Sequence, residues 1–183
     1  MQEAVTVSPM ALYYLGVKMK AKYIDYSYIA AMPDIQKRYK LHESETYEVL
    51  EKDGYVQQDF MGNVQIDSHV KETLTPVFFG TVESRVHGKK EYNFHVCGDQ
   101  ITAVVTVPGP KGRVQYLSFY RLEEKEIPFF LKQAAGRDGE ISIQCADVLH
   151  GYRDGLFTRE ELGEREQIQK AVALIMGGAE ENG

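Results

Sequence analysis

With 183 residues and 43% apolar side chains, the chain can form one globular domain with a sizeable core, or two small lobes sharing one, and wholesale disorder is excluded. Its 27 carboxylates outnumber its 21 Lys and Arg, for a formal charge of −6, which excludes a general phosphate-binding surface, makes nucleic acid an unfavoured partner and leaves room only for a local basic patch. Two distant cysteines (Cys97 and Cys145) read as thiols of a reducing compartment with their pairing open, no stretch is apolar enough to span a bilayer, and the N-terminus lacks a signal-peptide pattern, so the expectation is a cytoplasmic protein away from membranes.

In chain order, Ser8-Pro9 predicts a helix start, with Ser as cap and Pro at the first helical position. Leu12, Leu15 and Met19 continue it at helical spacing to about Lys22. The Tyr-rich stretch from Ile24 to Ala30 reads as a connector whose aromatics pack on the lobe, and Pro33-Asp34 opens a short helix to about Leu41. The segment from Glu43 to Val77 then reads helix, strand, turn, strand, helix. Ser44 or Thr46 caps its first helix and Gly54 stops it. Tyr55 and Val56 are extended, Gly62-Asn63 turns the chain, and Val64 and Ile66 return it. Asp67 or Ser68 caps the second helix, which buries Val70, Leu74 and Val77, while Pro76 closes it or distorts its last turn. Residues 1–77 are therefore expected to form a helical lobe with a small winged-helix-like hairpin.

After Pro76 the period changes from helical to alternating. Strands are expected from Phe79 to Val86, Tyr92 to Val96, Ile101 to Val107 and Val114 to Leu122, joined by turns at Gly88-Lys89-Lys90, Gly98-Asp99 and PGPKG. A helix from Lys125 to Ala135, a fifth strand from Ile141 to Cys145 and a long helix from Thr158 to Met176 follow, the last opened by a Thr158/Glu161 capping box. Ala146 to Tyr152 is ambiguous, and GGAEENG reads as a frayed tail. The two Arg-Asp-Gly triplets, at 137–139 and 153–155, read as turns. The fold class is α+β: the N-terminal lobe, then an antiparallel sheet of about five strands with helices over residues 78–183, sharing a core with the lobe.

The chemistry-bearing patterns are sparse. The chain has no phosphate-cradling glycine loop, no nucleophile elbow and no HExxH helix. His95 and Cys97 share a strand face as a two-ligand beginning of a metal site, but packing beside the sheet is the stronger reading, and neither metal nor cofactor is assigned. Asp53 with Asp59, and Glu123 with Glu124, read as solvated carboxylates. The 12 tyrosines and 8 phenylalanines say more, because aromatic side chains offer contact area at little entropic cost. Tyr116, Phe119 and Tyr120 on one strand, with Phe129 and Phe130 just beyond, are the candidate partner-binding residues.

The segment LEKDGYVQQDFMGNVQIDSHVKETLTPV resembles the N-terminal part of the EspG-type chaperones of ESX (type VII) secretion: Leu50, Gly54, Tyr55 or Val56, and Gly62 to Val64 match that family's helix end and short return, and SPMALYYLG matches its opening helix. The resemblance covers about residues 5–122. It implies a central antiparallel sheet flanked by helices and a non-enzymatic cytoplasmic chaperone or accessory protein. The partner implied is a small secreted protein, a WXG-like helical hairpin. The family's usual members hold two related halves, so this chain would be a compact Gram-positive relative. The alternative is a winged-helix-like DNA-binding regulator. Against it, the Glu43–Asp53 stretch carries five carboxylates and only Lys52 as a base. An enzyme built from dispersed residues and a self-assembling phage protein are further readings.

Overall fold

The computed structural model describes residues 2–30 and 32–178. The fold is α+β, built on one seven-stranded antiparallel sheet. Its strands are β1 (Val5–Val7), β4 (Val82–His87), β5 (Tyr92–Cys97), β6 (Gln100–Pro108), β7 (Val114–Leu122), β8 (Glu140–Asp147) and β9 (Gly151–Thr158), in the order β1-β7-β6-β5-β4-β8-β9. The hairpin of β2 (Val56–Gln58) and β3 (Val64–Ile66) stands apart from it. Six α-helices complete the described chain: α1 (Pro9–Lys18), α2 (Tyr26–Ile29), α3 (Ile35–Lys52), α4 (Ser68–Phe79), α5 (Ile127–Ala135) and α6 (Arg165–Met176).

The expected β4–β7 meander and the strand that follows α5 form, with β4 starting at Val82 and not at Phe79, which ends α4. The sheet gains two further strands. β1 is only three residues long and comes from the N-terminal segment, where it pairs Val5 with Phe119 and Val7 with Leu117. β9 occupies residues expected to hold a turn and then the start of the last helix. The Arg153-Asp154-Gly155 triplet lies inside this strand and is not a turn; the chain reverses earlier, over residues 148–150, and Gly151 follows with a φ of 79° that suits glycine. Gly155 has a packing role instead, because a Cβ there would meet the Phe157 ring at 2.9 Å and Leu174 at 3.0 Å. The Thr158/Glu161 capping box does form, with reciprocal bonds of 2.8 and 3.1 Å, but it closes a single 3-10 turn, and α6 begins only at Arg165.

The two expected helices between Pro33 and Asp53 run end to end as α3, with the expected break falling at His42 (φ −117°, ψ 15°). Their caps differ from the reading. Neither Ser44 nor Thr46 caps a helix; Thr46 instead donates back to the His42 carbonyl at 2.8 Å. Ser8 and Asp67 do cap α1 and α4 through their side chains. α4 runs past Pro76 to Phe79.

Strand alternation divides the core. Face one carries Leu117 and Phe119 of β7, Val104 of β6 and His95 of β5, and is covered by α1, α2 and α4 through Leu12, Leu15, Tyr28, Leu74 and Phe78. Face two carries Val86, Phe94, Ala103, Ile143 and Cys145, and is covered by α5 and α6 through Phe130, Leu131, Ala171 and Ile175. Cys145 points to face two and Cys97, two residues on from His95, to face one, and both are free thiols. The helices therefore cover diagonal halves of the sheet. On face one the β8–β9 side is open, leaving Tyr152 and Leu156 exposed; on face two the outer β6–β7 side is open.

Candidate functional site

The five aromatics expected to bind a partner separate by alternation. Phe119 is fully buried under α1, α2 and α4, and its ring meets Tyr28 edge-on at 6.4 Å. Phe130 is buried on the opposite face among Tyr92, Phe94, Tyr120 and Phe129, at centroid distances of 5.3 to 6.3 Å. Neither can touch a partner without unfolding, so both leave the contact set. Tyr116, Tyr120 and Phe129 remain on the open side of face two. Tyr116 is 45% exposed, it pairs across the sheet with Val107 (41%), and Phe129 on α5 is 56% exposed. Phe130 underlies this group, holding Tyr120 and Phe129 in edge or tilted contact. Tyr120 and Phe129 are thus joined through Phe130, and the Tyr116–Val107 pair lies four residues back along β7 on the same face.

A second cluster, polar and mostly buried, lies where the α1–α3 connector crosses face one. β4 presents Glu83 and Arg85 and β5 presents Asn93 and His95, paired Glu83 to His95 and Arg85 to Asn93. The connector brings Tyr23, Asp25 and Tyr28 onto them. Tyr23 donates to the Gly80 carbonyl, and Asp25 caps α2 by accepting from the Ser27 amide at 2.8 Å. Arg85 reaches Asp25 at 3.4 Å, while the Glu83 oxygen 3.7 Å from the guanidinium is buried without a hydrogen bond.

Electrostatics separates the two carboxyls. Burial and the hydrogen bond and charge of Asp25 push Glu83 up to about 8, with Arg85 only partly opposing. Burial also works against the Asp25 carboxylate, but hydrogen bonds from Glu83 and Ser27 and the Arg85 charge overcome it and bring Asp25 down to about 2. At neutral pH the pair therefore holds one proton, on Glu83.

Beside them, Asn93 Nδ2 donates to the Tyr28 hydroxyl oxygen at 3.0 Å, which leaves the tyrosine proton for His95 Nε2 at 2.7 Å. That arrangement needs a neutral imidazole protonated at Nδ1, in accord with the burial that lowers His95 to about 4. His95 Nδ1 is buried without a partner. Burial raises the Tyr28 hydroxyl well above the ordinary tyrosine range.

The cluster can hold protons and charges in fixed positions. It is roofed by the connector, and the main surface clefts are lined by other residues. Its evident work is to pin the connector to the sheet. His95 is thus a partner of Tyr28, and among the described residues no group of three metal-ligating side chains gathers around it. The carboxylates singled out by spacing are employed elsewhere: Asp59 accepts from Met61 and Asn63 in the hairpin turn, and Glu123 pairs with Lys125 at 2.8 Å. The interacting pair, Asp25 and Glu83, is remote in sequence. The available signal was Glu83 and Arg85 alternating with apolar residues on a strand opposite His95.

Among the described residues no helix is long and apolar enough to cross a membrane. No protein-family model matches the chain, and no curated protein matches its sequence.

Proposed function

We propose that the chain is a non-enzymatic binding protein, a secretion chaperone or accessory protein of the EspG type, that holds a small helical-hairpin export substrate in the cytoplasm. The observation that carries this reading is the open half of face two. There Val107, Tyr116, Tyr120 and Phe129 lie on one side of the sheet and on α5, with Tyr120 and Phe129 backed by the buried Phe130 ring. An amphipathic helix laid along α5 would bury these side chains as the chain's own helices bury the rest of the sheet. The element order, with helix, hairpin and helix leading into an antiparallel meander, also suits the resemblance carried by Leu50, Gly54 and Gly62 to Val64.

The test is affinity capture of the tagged protein from its native cytoplasm, beside the Tyr116→Ala/Phe129→Ala double variant, whose exposed positions leave the fold intact. A small helical protein recovered near one to one with the wild type and lost from the variant supports the reading. Equal recovery by both removes this surface from it. Nucleic acid in the eluate would turn attention to the hairpin beside α3 as a wing.

A further inference from the structure

Away from both faces of the sheet, the end of α1, strand β3 and α4 enclose a groove of about 620 Å³. Its lining is mixed: apolar Met19, Val64, Ile66 and Phe79, polar Gln65 and Thr75, and charged Lys18, Lys20 and Lys71. Lys18 is shared with Glu43 at 3.1 Å, while Lys20 and Lys71 make no ion pair among the described residues. Lys20 and Lys71 thus place local positive charge beside apolar side chains in a chain of net charge −6.

Two details suggest that this surface is held for use. α1 ends in a Schellman pattern, with Lys20 N–H bonded to Val17 O and Ala21 N–H to Gly16 O. The left-handed residue of that pattern, ordinarily glycine, is Lys20 at φ 56°. A residue that strains the backbone thereby sets a cation at the groove. The hairpin that supplies β3 also ends in a tightly built turn, in which Asp59 Oδ1 accepts from the Met61 and Asn63 amides at 2.9 Å each. That turn holds Phe60 fully exposed and Met61 73% exposed.

We infer that this groove, with the Phe60-Met61 tip of its hairpin, docks an acidic amphipathic helix of a partner protein. The helix's apolar face lies on Met19, Ile66 and Phe79 and its carboxylates meet Lys20 and Lys71. A concave floor with an apolar part suits the ridge of an amphipathic helix better than a phosphate backbone, which has no apolar face, or a flat lipid surface, which does not enter it. The inference rests on the reading of the chain as a protein-binding module, but uses a surface separate from Tyr116 and Phe129.

The probe is a fluorescent peptide of about 18 residues, with Leu at helical spacing and Glu on either flank, titrated by anisotropy. The controls are its Lys-for-Glu counterpart, a short DNA duplex and phosphatidylserine vesicles. The acidic peptide is expected to bind, and more weakly at high salt. Phe60→Ser and the Lys20→Glu/Lys71→Glu pair each raise its Kd about tenfold or more. Lys20→Gly raises Kd by about threefold while melting no lower than wild type, which separates lost binding from lost folding. The Tyr116→Ala/Phe129→Ala variant binds the peptide unchanged, so this groove and the α5 surface succeed or fail independently. The inference is overturned if the acidic peptide does not bind, if the Lys peptide binds equally, if the duplex or vesicles bind more tightly, or if the groove variants leave Kd unchanged.

Discussion

The two faces of the sheet are closed by different chemistry. Face two is packed with hydrocarbon and aromatic rings, with Phe130 meeting Tyr92, Phe94, Tyr120 and Phe129, and its polar group sits apart at the β8–β9 end, where buried Asp147 pairs with His150 and Arg153. Face one has an apolar core of similar kind, but its border under the connector is closed by Asp25, Glu83, Arg85, Tyr28, Asn93 and His95. Apolar contacts are non-directional and indifferent to pH. The polar border is directional and titratable, and a missing member leaves its neighbours buried without partners. The aromatic core of face two thus supplies stability that does not depend on pH, whereas the closure of face one depends on where protons are.

The largest effect that can break this contrast is Phe130→Ala. It should cost about 3–5 kcal/mol, as large-to-small changes in packed aromatic cores do. Urea unfolding should show the same loss at every pH at which the protein folds. A loss that varied with pH would mean the two faces are coupled.

The next effect is confined to face one. Glu83 has an ordinary value of 4.5 and a folded value of about 8, so the folded state holds the extra proton between them and stability falls as pH rises through this window. His95 runs the other way. Its folded value of about 4 lies below 6.5, so stability is lost as pH falls from 6.5 towards 4. The two slopes oppose each other between 4.5 and 6.5, leaving a plateau there with a decline above it to about 8 and another below it, deepened by Asp25 as pH falls from 3.8 towards 2. The alkaline decline should be on the order of 2 kcal/mol or more. Glu83→Gln keeps a donor towards Asp25 and should abolish it; unfolding curves between pH 6 and pH 9 that superimpose for wild type and variant would remove Glu83 from the closure.

The smallest of the three is Tyr28→Phe. It keeps the ring against Phe119 but strands Asn93 Nδ2 and His95 Nε2, at a cost of about 1–3 kcal/mol. The connector should loosen before the rest of the chain, with amide exchange rising around Asp25 to Ile29 and not in α5. Uniform exchange along the chain would mean that the connector is held by its apolar contacts alone.

The strands were readable where each had a period and a turn to bound it, as in β5, between Gly88 and Gly98, or β7, whose limits match the reading. β1 was not, because three residues carry no period and its pairing with β7 is set from more than a hundred residues away. The last strand was hidden by its composition: Arg153-Asp154-Gly155 has turn residues, but Gly155 is chosen to clear Phe157 and Leu174, a tertiary demand. The exposed half of the aromatic set followed from alternation once the register was known. Phe119 and Phe130 misled because clustering along the chain says nothing about which side of the sheet a ring takes. The Asp25–Glu83 pair was beyond reach, since only the crossing of the connector over β4 brings its members together.

The pairing of β1 with β7 also bears on how the molecule is made. Val5, Val7, Leu12 and Leu15 leave the ribosome more than a hundred residues before Leu117 and Phe119, which cover them. Through that interval the N-terminal helices carry an unfinished apolar side and wait for a strand not yet translated. The chain thus passes, during its own synthesis, through a state in which its helices are not yet packed.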